Sequence, residues 1–174
     1  MFQQQLSKEQ ALQKIKHYCG YQERSHKEVK EKLYRFKLRK DVVEEIIAYL
    51  IEENYLNEER FATQFAGGKF RTRQWGRKKI MYELRERGIS QYCINNALQS
   101  IDEESYNRVL QKLAEKKWAS LKKEQGHLIR LQKTRMYLLQ KGYEQANIEP
   151  VLQLLKEAYL AGVAGTPLRC LNPA

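Results

Sequence analysis

One arrangement of apolar residues returns three times along this chain, and that recurrence limits the folds open to it. Val29, Leu33, Leu38, Val43, Ile47 and Leu50 have counterparts in Ile80, Leu84, Ile89, Ile94, Leu98 and Ile101. Leu84, Gly88, Ile89, Ile94, Leu98 and Ile101 are matched in turn by Leu138, Gly142, Tyr143, Ile148, Leu152 and Leu155. A period of about 50 residues marks one small supersecondary unit that stacks on its neighbours. Within each copy the apolar positions fall three and four apart, the spacing of a helix face. Each copy also opens with a helix of its own, around Ala11, Leu12 and Ile15, then Phe61 and Phe65, then Tyr106, Val109, Leu110 and Leu113.

The fold class read from this pattern is all-α, an elongated, curved array of three tandem three-helix modules. The first module takes residues 1–57, the second 58–102 and the third 103–159, with a tail over 160–174. Units that touch mainly their neighbours build extended surfaces rather than one centre. A compact bundle that keeps the repeats only as a trace stays open as the alternative.

Local signals fix the helix ends. Ser25 followed by Glu28 is a capping-box pattern, and Asp41 with Glu44 reads the same way. Asn57 precedes the helix of Phe61 and Phe65, Gly88 reads as a left-handed C-terminal cap, and Ser90 starts the next helix. Two places break the pattern. Gly67 and Gly68 predict a kink or fraying, since each costs about 1 kcal/mol relative to Ala inside a helix. Pro150 predicts a late start for the last helix, near Asn147.

Charge is the second constraint. With 32 Lys and Arg against 21 Asp and Glu, the chain carries a formal +11. Its 42% hydrophobic residues are still enough for a core. No run approaches the roughly 20 apolar residues of a membrane span. The segment MFQQQLSKEQ lacks the apolar centre of a secretory signal. A membrane-surface helix would gather its apolar residues on one exposed face, whereas here they recur as in a packed core. Cys19, Cys93 and Cys170 are too far apart to imply a disulfide framework or a metal cluster. The expected compartment is the reducing cytoplasm.

Catalytic patterns are missing. His17, His26 and His127 have no Cys, Asp or Glu at ligand spacing. Gly67-Gly68-Lys69 lacks the earlier Gly and following Ser or Thr of a phosphate loop. The expectation is a non-enzyme with no cofactor and no metal.

The basic residues are the better candidates. Between Lys69 and Arg87 eight Lys or Arg stand against Glu83 and Glu86, a density that suits a polyanionic partner. Lys78, Tyr82 and Arg85 fall at i, i+4 and i+7, beside the buried side marked by Ile80 and Leu84. Lys69 and Arg73 share a helix face, and Arg71, Arg77 and Lys79 surround the connection. Cations would take phosphates, while Trp75 or Tyr82 would stack on an unpaired base. A second concentration includes Lys122, Lys123, Arg130, Lys133 and Arg135, with Lys122 to Gly126 as a cationic loop. The alternative is a solvated face, with Trp75 and Tyr82 packing between modules.

The stretches ERSHKEVKEKL, YLNEERFATQF, RTRQWGRKKIMYELRERGIS and LLQKGYEQANI together resemble the RecX regulatory proteins of bacterial recombination, from roughly Glu9 to Ala158. Where that family often carries glycine-proline, this chain has Gly76-Arg77. The resemblance implies three tandem three-helix modules. It further implies a protein that binds the RecA recombinase filament on single-stranded DNA, within its groove or at its growing end. Extension, ATP hydrolysis, strand exchange and co-protease activity would be lowered. RecA and DNA are thus the expected partners of a monomer, and a free-standing nucleic-acid-binding protein is the alternative.

Overall fold

The structure, a computed structural model, describes residues 6–122 and 126–162, and every regular element among them is a helix. In chain order these are α1 (Lys8–Tyr21), α2 (His26–Arg35), α3 (Lys40–Glu52), α4 (Glu58–Arg73), α5 (Arg77–Glu86), α6 (Gln91–Gln99), α7 (Glu103–Ser120), α8 (His127–Lys141) and α9 (Gln145–Leu160). None is long and apolar enough to cross a membrane. The chain divides into two compact units. One takes Met1–Gly68 with Met81–Ser100, and the other takes Lys69–Ile80 with Ile101–Ala174.

In the first unit α1, α2 and α3 pack on one another. Their apolar stripes meet in a core of Ile15, Val29, Leu33, Val43, Ile46 and Leu50, all essentially without solvent exposure. The entry to α2 is closed by the predicted capping box. The Ser25 hydroxyl accepts from the Glu28 N–H at 3.2 Å, and the Glu28 carboxylate accepts from the Ser25 N–H at 2.9 Å. Glu58 and Glu59, at the start of α4, accept from the Ser90 N–H and the Asn96 amide of the α6 region. In the second unit α7, α8 and α9 form the corresponding three-way packing, around Leu110, Leu138, Ile148 and Leu152.

The repeat register predicts the core closely. Val29, Leu33, Leu38, Val43 and Leu50 are buried, as are Ile80, Leu84, Ile89, Ile94 and Ile101, and Leu138, Tyr143, Ile148, Leu152 and Leu155. Ile47 and Leu98 are half-buried. The register also carries a backbone conformation. Lys37, Gly88 and Gly142 occupy one repeat position, and all three are left-handed, with φ of 58°, 74° and 91°. Each follows a helix whose last carbonyls it helps to satisfy, as in the Gly142 N–H bond to the Leu139 carbonyl at 2.9 Å.

Several sequence expectations are corrected. Asp41 does not cap α3. The N-cap is Arg39, which makes no side-chain capping bond, and the Asp41 carboxylate instead accepts from the Arg39 guanidinium at 2.9 Å. Gly67 and Gly68 do not end α4, which runs on to Arg73; Ala62, Ala66 and Phe70 are buried on either side of the glycine pair. Helix α9 starts at Gln145, two residues before Asn147, with Pro150 inside it. The proline is tolerated early in the helix, where Ala146, whose carbonyl loses its partner, is exposed. Lys123, Cys170 and nearly all of the expected tail lie outside the described residues.

Lys37 is the one non-glycine at the repeated left-handed position. Left-handed backbone costs an L-residue roughly 1–2 kcal/mol, so Lys37→Gly should raise stability by about 1 kcal/mol. Gly88→Ala should lower it by a similar amount. Urea unfolding followed by circular dichroism checks both, and equal midpoints for Lys37→Gly and the parent chain would contradict the assignment.

Candidate nucleic-acid interface

The segment Lys69–Ile80 of the second unit carries the densest group of predicted binding residues, and its backbone explains how they are presented. The last turn of α4 ends when Gln74 turns left-handed, at φ 54°, with the Gln74 N–H still bonded to the Phe70 carbonyl at 2.9 Å. Phe70 faces inward, its ring 5.8 Å from Tyr106, which in turn lies 5.0 Å from Tyr143. These three aromatics form the floor beneath the turn.

Helix α5 begins at once, leaving N–H groups that have no partner within the helix. Each of the first three finds one elsewhere in the unit. Gly76 N–H donates to the Lys141 carbonyl at 2.8 Å, Arg77 N–H to the Tyr106 hydroxyl at 3.0 Å, and Lys78 N–H to the Gly142 carbonyl at 3.0 Å. In the other direction, Lys141 Nζ donates to the Arg73 carbonyl at 3.2 Å and the Tyr143 hydroxyl to the Gln74 carbonyl at 3.3 Å. The start of α5 and the end of α8 therefore complete one another.

Two glycines permit this. A Cβ on Gly76 would lie 2.3 Å from the Gly142 carbonyl carbon and oxygen, and one on Gly142 would lie 2.3 Å from Lys79 Cβ. Both contacts are shorter than any real Cβ tolerates. The Tyr106 hydroxyl is held as a donor to Glu144 Oε2 at 2.6 Å. Burial, reinforced by that hydrogen bond, pushes its pKa far above the usual 10, so the phenol stays protonated. The N–H that Arg77 gives to this hydroxyl is one that a proline could not supply.

Side chains on the turn separate into two kinds. Arg77 is tied inward, its guanidinium 4.2 Å over the Tyr106 ring and bonded to Glu103 at 2.6 Å and the Ile101 carbonyl at 3.2 Å. Burial disfavours its charge, but the Glu103 hydrogen bond and field more than compensate, and its pKa is raised. Trp75 seats two ammonium groups, Lys69 Nζ at 5.3 Å and Lys79 Nζ at 4.8 Å from its ring centre. Each gains a cation–π attraction from the indole. Arg71, Arg73 and Lys78 are exposed and make no side-chain ion pair or hydrogen bond among the described residues.

The other predicted positions are dispersed. Tyr82 and Arg85 belong to the first unit, where Tyr82 is 62% exposed and Arg85 bonds the Gln91 side chain at 2.8 Å. Lys122 and Lys133 are exposed on the second. Arg135 forms a two-point pair with Glu149, at 3.0 and 2.7 Å. Arg130 is buried, 4.0 Å over the Trp118 ring and bonded to the Trp118 carbonyl at 2.9 Å. Sequence reasoning passed over Lys141, Tyr106 and Glu144. The repeat register could have flagged the segment around Gly142, but nothing local in sequence announces that Tyr106 and Glu144 meet.

The glycine contact gives a direct test. Gly142→Ala combines a left-handed backbone with a clash and should destabilise by about 2 kcal/mol or more. Gly68→Ala meets nothing within 4 Å and should stabilise α4 by about 0.5–1 kcal/mol. Thermal unfolding of the two variants should therefore move in opposite directions.

Comparison with known proteins gives one consistent answer. Family models for the second and third three-helix domains of RecX match residues 57–98 and 104–152. Regulatory protein RecX of Clostridium perfringens (strain 13 / Type A) is 38% identical over 122 residues, covering 70% of this chain and 57% of that protein. The Oceanobacillus iheyensis protein of the same name is 31% identical over 137 residues, 79% of this chain and 50% of its own length. The matches thus span little more than half the length of these relatives. Crystalline RecX from Lactobacillus salivarius superposes with a TM-score of 0.77 at 25% identity, over 86% of this chain and 97% of that one. From the repeated three-helix units, the domain matches and these relatives together, the chain belongs to the RecX family of regulatory proteins.

Proposed function

We propose that the protein is a non-enzymatic inhibitor of the RecA recombinase, acting on the RecA filament assembled on single-stranded DNA. In this reading it limits filament extension, ATP turnover, strand exchange and co-protease activity, and works as a cytoplasmic monomer. Its three modules would be residues 1–57, 58–102 and 103–159. The observation that carries the reading is the turn at Lys69–Ile80. Its backbone is tied down by helix-end hydrogen bonds, while Arg71, Arg73 and Lys78 are exposed with no side-chain partner among the described residues.

Phosphates are the natural complement. Cations that are already paired gain little from a new anion, because an existing contact must be exchanged for it. Unpaired, exposed ones gain a charge-assisted contact and release counterions from the polyanion. Arg77, Arg130 and Arg135 are engaged internally and so contribute through the fold rather than by contact. Lys69 and Lys79 add positive charge around Trp75.

A triple charge reversal, Arg71→Glu, Arg73→Glu and Lys78→Glu, tests the proposal. Half-inhibition of RecA strand exchange and single-strand-dependent ATPase should need at least tenfold more protein, with an unchanged melting temperature. Losing three phosphate contacts should also flatten the salt dependence of single-strand binding, by about 2 in log–log slope. Arg130→Ala should instead lower the melting temperature. Recombinase activity unaffected by saturating parent protein would defeat the reading. A free-standing nucleic-acid binder is the second reading, since such a turn needs no protein partner to take phosphates. It predicts full DNA binding together with that same indifference of RecA.

A further inference from the structure

Helix α8 is built inside out. Its buried face carries Arg130, Thr134 and Leu138, while Leu128, Ile129, Met136 and Leu139 stand in solvent, 67%, 47%, 51% and 36% exposed. The repeat makes the inversion plain. At the position of Thr134 the two earlier copies place Val29 and Ile80, both fully buried. The Thr134 hydroxyl, by contrast, is buried with no hydrogen-bond partner.

At about 100° per residue, Leu128, Leu139, Gln132, Met136, Ile129 and Gln140 fall within an arc of about 120°. That arc holds no charge, in a chain where 30% of residues are charged. Beside it, between α7 and α8, lies a groove of about 440 Å³ with Ile129, Met136 and Tyr137 along it and Lys117 and Lys133 at its edge. Lys117 Nζ sits 5.4 Å from the Tyr137 ring centre, so one wall is aromatic and cationic together.

We infer that this groove docks one helix of a protein partner, apolar on the side that faces Ile129 and Met136 and acidic where it faces Lys117 at the groove's edge. Charge complementarity selects the occupant. A second copy of this +11 chain would bring like charge against that edge. A nucleic acid would lay most of its phosphates against the uncharged stripe, where only the edges carry a cation. An amphipathic helix meets the stripe with side chains at i, i+3, i+4 and i+7, each filling part of the groove, and its carboxylates meet lysines at the rim. The inference does not depend on the proposed recombinase function.

Fluorescence anisotropy on the full chain tests it with three labelled 18-residue helical peptides. The first has leucine at the i, i+3, i+4, i+7 positions and glutamate along both flanks. The second replaces each glutamate by lysine, and the third replaces each leucine by serine. The first should bind saturably and the other two at least tenfold more weakly. The double variant Ile129→Asp with Met136→Asp should lose at least tenfold in affinity for the first peptide, with unchanged affinity for a single-stranded oligonucleotide. Should that variant melt early, the milder Ile129→Gln with Met136→Gln carries the same test. Absence of saturable binding, equal binding of the serine peptide, or equal binding by the variant overturns the inference. So does a loss of oligonucleotide affinity in the variant, which would make the groove a nucleic-acid path. A parent dimer that the variant abolishes, seen by sedimentation, would make the occupant a second copy and overturn it as well.

Discussion

The approach of Gly76 to Gly142 decides how the second unit presents its charges. Helix ends leave polar backbone groups without partners, and leaving one such group buried and unsatisfied costs about 1–3 kcal/mol. Here the donors that open α5 and the acceptors that close α8 meet directly, with Gly76, Arg77 and Lys78 giving their N–H groups to Lys141, Tyr106 and Gly142. The partial positive charge of one helix end also faces the partial negative charge of the other. Any side chain larger than hydrogen at either glycine would separate the two backbones. Because backbone groups of the two helix ends and the side chains of Tyr106, Lys141 and Tyr143 fix the turn, the side chains of Arg71, Arg73 and Lys78 are not needed to hold it.

That division of labour sorts cations which are indistinguishable in a list of residues. Arg77, Arg130 and Arg135 have each been given an internal task. Arg77 stacks on Tyr106 and meets Glu103, Arg135 grips Glu149, and Arg130 lies over Trp118 with its guanidinium on a backbone carbonyl. A guanidinium serves such places better than an ammonium, because it is planar and less strongly hydrated. The lysines of the turn, Lys69 and Lys79, keep their charge near the surface against one indole ring. Exposed Arg71, Arg73 and Lys78 are among the cations that the fold has given no internal task.

Much of this was legible in the sequence because the repeat compares the chain with itself. Ser25 and Ser90 cap helices as read, Gly88 and Gly142 turn left-handed, and the shared apolar register is the core. Failures came where a residue's role depends on a partner that local patterning does not specify. Asp41 looked like a cap but is satisfied by Arg39, two residues away. The glycines in α4 looked like a break, yet tertiary contacts at Ala66 and Phe70 outweigh their propensity. Arg130 looked like a contact residue because charge normally faces water, whereas here it is buried over Trp118, beside Thr134 on the inner face of α8. No window on one helix reveals such a reversal; only the packing of α8 against α7 and α9 does.

The reversal and the turn are coupled through α8 itself. Its outer face carries the uncharged stripe, and its last residue, Lys141, holds the Arg73 carbonyl. Two surfaces of different chemistry thus ride on one rigid element. Attraction of the turn for a polyanion is screened over about 8–10 Å at moderate salt. Burial of Leu128, Ile129, Met136 and Leu139 would be governed by apolar area and would survive salt. A target offering both phosphate and an amphipathic helix would be held through two terms, of which salt weakens only the first. Because the two surfaces are fixed to the same helix, their spacing would itself select which targets can engage both at once.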